Sequence, residues 1–292
     1  MNFSILIYPT FLFYVGISIL VLIYAEYIEP RWFKIKRVCV KSPKPLPRPI
    51  TILHLSDIHF SGRPHAKDKF LEKLSDIKPD FIFITGDIID CDEGINQAAH
   101  ILGKLNARAG KFAILGNHDY WDYHLIHNFR YHLRGIKIAD RSNDANLLVK
   151  KLEKVGIQVL NNRNMSVIIS GQKIVIAGTD DPVTQTVDFE KTFAGVQNDS
   201  FNILLTHVVD VVVGMPKVDV DLVFSGHTHG GQFRVPILGG FMLGFKLPRK
   251  YLDGIHKIGR FTACVSRGIG ASRSLVFRFF CRPEAILMEV VS

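Results

Sequence analysis

Five short apolar runs punctuate this chain, and each stops at an Asp, an Asn or a His. Ile50 to Leu55 leads into Ser56-Asp57, Phe81 to Thr85 into Gly86-Asp87, and Lys111 to Leu115 into Gly116-Asn117. Ile203 to Thr206 ends at His207, and Leu222 to Ser225 ends at Gly226-His227. Between them, Lys67 to Ile77 and Ile95 to Leu105 carry helical spacing, the first with Phe70, Leu71, Leu74 and Ile77 on one face. Strands alternating with helices predict an α/β sheet, whose functional side chains gather beyond the carboxyl ends of the strands. Any one of these polar residues could simply cap a helix or make a turn. Five strand ends on one sheet edge, several of them bearing His, predict a shared site instead.

The residue types fit a metal site. Asp, Asn and His offer oxygen and imidazole nitrogen, which suit Mn, Fe, Zn or Mg, and no thiolate is present to favour a purely structural zinc. Glycines at 86, 116 and 226 are expected to let the chain turn tightly off each strand. In order and in rough spacing, Asp57-Ile-His59, Gly86-Asp87, Gly116-Asn117-His118-Asp119, Thr206-His207 and Gly226-His227-Thr228-His229 resemble the signature of the calcineurin-like metallophosphoesterases, across roughly residues 50 to 291. The resemblance implies an α/β (α+β sandwich) fold, with two β-sheets flanked by helices. It also implies two divalent metal ions, manganese being the expected pair and iron, zinc or magnesium also suited. Carried over by motif, Asp57, His59, Asp87 and His229 would hold one ion, and Asp87, Asn117, His207 and His227 the other, with Asp87 bridging. By the same resemblance His118 would face the leaving-group oxygen as general acid or charge stabiliser. Asp119 would fix the tautomer of His118 or, equally, cap a helix. His54, His65, His100 and His256 are read as ordinary structural or surface residues.

Before the first strand lies a different kind of sequence. Phe3 to Ala25 carries no charged side chain and is long enough to cross a bilayer core of about 30 Å at about 1.5 Å per helical residue. A cleaved signal would want basic residues at its start and a small-x-small exit, whereas this run begins MNFS and leaves as YAEYIEP. It reads as an anchor. Arg31, Lys34, Lys36, Arg37, Lys41, Lys44 and Arg48 follow it, opposed by Glu26 and Glu29. Positive flanks stay cytoplasmic, so the body is expected on the cytoplasmic side of a single-pass span. The flank would meet anionic headgroups or serve only as a topology signal. Residues 26–49, with SPKPLPRP at 42 to 49, read as a basic, Pro-rich linker, and 50–292 as the catalytic domain. More than half of the formal net charge of +9 sits in that linker, which argues against a nucleic-acid surface. Four cysteines without a CxxC pair read as separate buried thiols in a reducing compartment. Oligomeric state leaves no trace in the sequence.

Two stretches bear on substrate. Residues 120–142 mix Trp121, Phe129, Tyr131 and Leu133 with Arg130, Arg134 and Lys137, which suits an interfacial lid or a peripheral helix. Residues 233 to 254 place Phe233, Ile237, Leu238, Phe241, Met242, Leu243 and Phe245 just beyond His229. So many large apolar side chains need a membrane, an acyl chain, a lid or the domain's own core to cover them. The GHTHGGQ loop and the G-x-G…R-P-E tail resemble a membrane-associated branch of the family. One activity there is the UDP-2,3-diacylglucosamine pyrophosphatase of lipid A synthesis, and other members resemble secreted phosphodiesterases. A cytoplasmic domain beside a membrane suits the UDP-lipid, with Arg63, Arg130, Arg134 and Arg249 as candidate phosphate or uridine contacts. A broader phosphodiesterase acting on another lipid or a nucleotide is the main rival. A non-catalytic scaffold is disfavoured by the intact ligand set, and a repair nuclease by the anchor and the near charge balance of the domain.

Overall fold

A computed structural model describes residues 4–123, 141–235, 237–242, 244–271 and 276–292. Helix α1 (Ser4–Ile23) continues through a wide turn (Tyr24–Ile28) and a tight one (Glu29–Arg31). Within Pro9–Arg31 an 18-residue window has mean hydropathy 2.0, with 6% of that window buried. It is long and apolar enough to cross a membrane.

In chain order the strands are β1 (Lys34–Lys41), β2 (Ile50–Leu55), β3 (Phe81–Thr85), β4 (Gly110–Ile114), β5 (Trp121–Asp122), β6 (Arg141–Ser142), β7 (Ile157–Val159), β8 (Arg163–Ile169), β9 (Gln172–Gly178), β10 (Phe201–Leu205), β11 (Leu222–Ser225), β12 (Arg234–Val235), β13 (Gly239–Gly240), β14 (Gly254–Ile258), β15 (Phe261–Val265) and β16 (Glu284–Val291). They form two six-stranded sheets, ordered β1-β16-β2-β3-β4-β7 and β14-β15-β11-β10-β9-β8, plus the two-stranded ribbons β5-β6 and β12-β13. In the first sheet β2, β3, β4 and β7 run parallel. In the second, β9, β10, β11 and β15 do. Strands buried on both faces read as continuous apolar runs, which is why FIFIT and LVFS stood out in the sequence and are the observed β3 and β11.

The sheets pack face to face. Ile52, Phe83 and Phe112 from the first meet Ile203 and Phe224 from the second in one apolar layer. The outer face of the first sheet is covered by α2 (Ala66–Lys73), α3 (Gly94–Gly103) and the helix Ala145–Lys154 through Leu71, Ala98, Leu102, Leu148 and Leu152. Helix α2 starts where predicted because His65 caps it, accepting from Lys67 N while Asp68 accepts from His65 N. Leu204, Val223 and Ala263 bury the outer face of the second sheet against Val209, Val220 and Phe261.

The proposed linker needs correction. Residues 34–41 within it are strand β1, paired in parallel with β16 from Lys34–Glu284 to Lys41–Val291. Its burial alternates with one face exposed, Ile35, Arg37, Cys39 and Lys41 outward and Lys34, Lys36, Val38 and Val40 inward, but Lys34 and Lys36 on the inward face hide that alternation in the sequence. The segment after it is also fastened down, since Leu46 exchanges backbone hydrogen bonds with the Ser292 hydroxyl. Of the four cysteines, which are all free, Cys39 on this edge strand is exposed and the other three are buried.

Candidate metal centre

All five strand ends converge on one site. Asp57 and His59 follow β2, Asp87 follows β3, and Asn117 opens the short helix α4 (Asn117–Tyr120) after β4. His207 follows β10, and His227 and His229 follow β11. The backbone beyond β2 and β3 stays zipped together, with Asp57 N donating to Gly86 O, His59 N to Asp87 O and Phe60 N to Ile88 O. Two spatial clusters result. Asp57, His59, Asp87 and His229 form one, and Asp87, His207 and His227 the other. Asp87 sits between them, its Oδ2 3.7 Å from His59 Nε2 and 3.4 Å from His207 Nε2.

Backbone conformation is unusual here. Asp57, His59, Asp87, His227 and His229 all have φ between 47° and 66°. That left-handed region disfavours most side chains and is tolerated by Asp, Asn and His better than by β-branched residues. Of the three flanking glycines, Gly86 does turn through positive φ, at 83°. Gly226 is needed for another reason. A Cβ there would lie 1.8 Å from Ser56 Oγ and 2.2 Å from Asp57 Oδ2.

The donor set fits divalent metal. His59 Nε2 and Asn117 Oδ1 are buried without a hydrogen-bond partner, as ligand atoms awaiting a cation would be. His207 Nδ1 lies 2.8 Å from the Thr85 carbonyl, so it carries the proton. Its Nε2 is the ring atom left to act as a ligand, and it faces Asp87 Oδ2 at 3.4 Å and His227 Nδ1 at 3.2 Å. Electrostatics agree. Burial opposes a charge on His207, but Asp87 and Asp57 push its pKa up to about 10, so the pocket draws positive charge. Burial holds His227 down at about 3. When bound, two ions in such a site lower the pKa of water and steady the oxygens of an in-line displacement at phosphorus.

The histidine-orienting carboxylate is not Asp119. Asp119 accepts from Ile88 N, Ile89 N and Gly116 N, so it pins the start of α4 to the loop after β3. Its burial pushes its pKa up to about 7. The group beside His118 Nδ1, at 3.1 Å, is Asp90 Oδ1, which also lies 3.4 Å from His59 Nδ1. Asp90 is itself buried, yet its pairing with His118 and His59 holds its carboxyl well below the usual range. One buried carboxylate thus orients a ligand and the candidate catalytic histidine together. The signal in the sequence is the second acid of Gly86-Asp87-Ile88-Ile89-Asp90, which a lone Asp after a motif does not distinguish from an ordinary turn residue.

His229 is held from behind. Arg278 is wholly buried, with its guanidinium donating to the Arg267 and Gly270 carbonyls at 2.9 and 2.6 Å and lying 3.2 Å from His229 Nδ1. The Cys281 thiol reaches the His229 carbonyl at 3.0 Å. This strip is tied in turn to the end of α1. Arg278 N donates to Ala25 O, and Phe280 N and Cys281 N both donate to the buried Glu29 carboxylate. An Arg set among apolar neighbours in LVFRFFC was the sequence signal for this role.

Candidate substrate contacts fare differently. Arg63 is exposed before α2, and Arg249 stacks over Phe241 at 4.6 Å. No described hydrogen bond or ion pair joins either to the ligand set. Arg130 and Arg134, with most of the 120–142 segment, lie outside the described residues; its ends meet in the β5-β6 pair, Trp121 opposite Ser142. Of the apolar run, Phe233, Ile237, Leu238 and Phe241 are exposed, whereas Phe245 packs on the second sheet and Leu243 lies outside the described residues.

Comparison with known proteins agrees with this geometry. Residues 50–231 match the model of the calcineurin-like phosphoesterase family. The uncharacterized metallophosphoesterase YkuE of Bacillus subtilis is 31% identical over 279 residues, covering 92% of this chain and 89% of that protein. The phosphodiesterase YaeI of Escherichia coli is 29% identical, with 92% of each covered. The UDP-2,3-diacylglucosamine pyrophosphatase LpxG of Chlamydia muridarum is 27% identical, with 94% of each covered. With its strand-end ligand residues gathered at one sheet edge, the chain belongs to the calcineurin-like phosphoesterase family and is a metal-dependent hydrolase.

Proposed function

We propose that this hydrolase acts at the cytoplasmic face of a membrane and cleaves the pyrophosphate of UDP-2,3-diacylglucosamine. Water adds across the P–O–P linkage, giving UMP and 2,3-diacylglucosamine 1-phosphate. The observation that carries the lipid part is a cavity of about 780 Å³ with His227 in its wall, lined largely by apolar groups such as Val183, Phe189, Val211, Met242 and Phe245. Apolar walls of this kind suit an acyl chain leaving the phosphate. The similarity to LpxG over nearly the whole chain adds support. Manganese is the expected metal pair, held by Asp57, His59, Asp87 and His229 on one side and by Asp87, Asn117, His207 and His227 on the other. His118, oriented through Nδ1 by Asp90, presents Nε2 toward the substrate, where it holds the proton destined for the departing oxygen. The basic residues after α1 support a cytoplasmic orientation.

The test is to incubate the detergent-solubilised full chain with the UDP-lipid and Mn²⁺ and to measure UMP, with Asp87→Ala as control. UMP release by the parent protein alone supports the assignment. Turnover of an aryl phosphodiester without UMP release sinks it. That outcome favours the broader phosphodiesterase reading, to which the likeness to the Escherichia coli phosphodiesterase points.

A further inference from the structure

Around the exit of α1 the surface is unusually apolar. Tyr24 makes an edge contact with Phe279, with ring centroids 6.2 Å apart. Phe279 stacks on Phe233 at 5.2 Å and meets Phe280 at 4.6 Å, and Phe233 meets Phe277 at 6.3 Å. Strips 232–234 and 279 are joined by backbone hydrogen bonds, Arg234 N to Phe279 O and Phe279 N to Gln232 O. From Phe233 the chain enters the β12-β13 hairpin, at whose tip Ile237 and Leu238 are 105% and 73% exposed. Ile237 holds a left-handed φ of 72°, a conformation costly for a β-branched residue. A turn selected only for stability would carry Gly or Asn there. A series of aromatic contacts thus leads from the foot of the apolar helix to Phe233, from which the chain enters the hairpin with its exposed apolar tip.

Cations accompany the rings. Arg282 lies 4.0 Å over Trp32, Arg249 4.6 Å over Phe241 and Arg31 5.6 Å over Tyr27, and all three rings belong to exposed residues. Aromatic residues with long basic side chains beside them characterise the boundary between headgroups and acyl chains, where the ring has one apolar and one wet side and the cation meets anionic lipid. A self-association face would be flatter, and it would have no need of a protruding tip or of continuity with the helix.

We propose that the hairpin tip at Ile237 and Leu238, with Phe241, Phe277, Phe280 and Trp32, forms a shelf that lies in the near leaflet of an anionic bilayer. It rests on the reading of α1 as the membrane span. The shelf extends that single attachment point into a plane. Gln232 joins Phe233 directly to the turn His229–Gly231, so the loop that carries His229 is set at the lipid boundary. A phosphate ester whose apolar part remains in the membrane meets the site there without leaving the bilayer.

Nitroxide depth measurements on the full chain test this. Cys39, the exposed cysteine, is replaced by Ser, and the three buried thiols are kept. Single cysteines are introduced as Leu238→Cys and Phe280→Cys on the shelf, Leu20→Cys in α1, and Ile168→Cys on β8 as a site in water, all at exposed positions. Each labelled protein is placed in vesicles of phosphatidylcholine and phosphatidylglycerol, with turnover of a soluble aryl phosphodiester as the check on folding. The expected result is oxygen-dominated relaxation at 238, 280 and 20, and relaxation dominated by a water-soluble nickel chelate at 168. Nickel-dominated relaxation at 238 and 280 with oxygen dominance at 20 overturns the shelf and leaves the span standing. Nickel dominance at 20 as well overturns both.

Discussion

The two halves of the metal centre are built differently. Asp57, His59, Asp87 and Asn117 leave neighbouring parallel strands of the first sheet, and their loops are clamped to one another by backbone bonds and by the buried Asp119 carboxylate. His229 sits on a loop beyond the second sheet and is steadied by Arg278 and Cys281, the first tied to the Ala25 carbonyl and the second to the Glu29 carboxylate at the base of the apolar helix. One half is preorganised by the core of the domain. The other borrows its rigidity from the segment that follows the apolar helix α1. The difference teaches that this N-terminal segment is part of the site's frame, because the candidate ligand His229 depends on it through two layers of hydrogen bonds.

The largest test removes what the halves share. Asp87→Ala should reduce phosphoesterase activity to background and lower bound manganese, read by elemental analysis, while leaving the far-ultraviolet circular dichroism unchanged. Retained activity would mean that the halves work without a common carboxylate. Asp90→Asn comes next. It keeps the shape of the group that orients His118 and His59 but loses its charge, and should cut kcat by about 10–100-fold with little change in KM. Glu29→Ala probes the borrowed half. It should weaken divalent-metal binding, followed by calorimetry, by about three- to tenfold, and it should lower stability because two buried amides lose their acceptor, at about 1–3 kcal/mol each. Unchanged metal binding in a folded Glu29→Ala protein would break the comparison.

The smallest effect lies in the frame of the first sheet, away from the metals. Burial acts against Asp80, but Arg48 and Thr51 bring its pKa down to about 2. A depressed carboxyl pKa adds stability above the unfolded value near 4, and that stability is lost as pH falls toward 2. Acid unfolding of the parent protein should therefore show a loss on the order of 1–2 kcal/mol across that window, which Asp80→Asn should lack.

Much of the site was legible in the sequence because short, wholly buried strands ending in ligand-type residues leave a continuous apolar run with a polar stop. Asp57, Asp87, Asn117, His207 and His227 all carry that mark. What stayed hidden depended on distance. Asp90 became the partner of His118 only once the loops after β3 and β4 were side by side. Arg278 reached His229 across a segment that has no periodic pattern. Strand β1 hid beneath its lysines, because an edge strand needs only one apolar face and its partner β16 comes from the far end of the chain. The left-handed backbone at Asp57, His59, Asp87, His227 and His229 was not legible either, since Asp and His tolerate that region but do not require it.

The placement of β16 has a consequence for biosynthesis. It fills the slot between β1 and β2, so β1 and one edge of β2, made early in this sequence, wait for residues 284–291 before they are paired. At about 5–20 residues per second, that wait lasts roughly 10–50 seconds. Throughout it β2 keeps one hydrogen-bonding edge bare and β1 has no strand partner, so closing the first sheet is an act of residues 284–291.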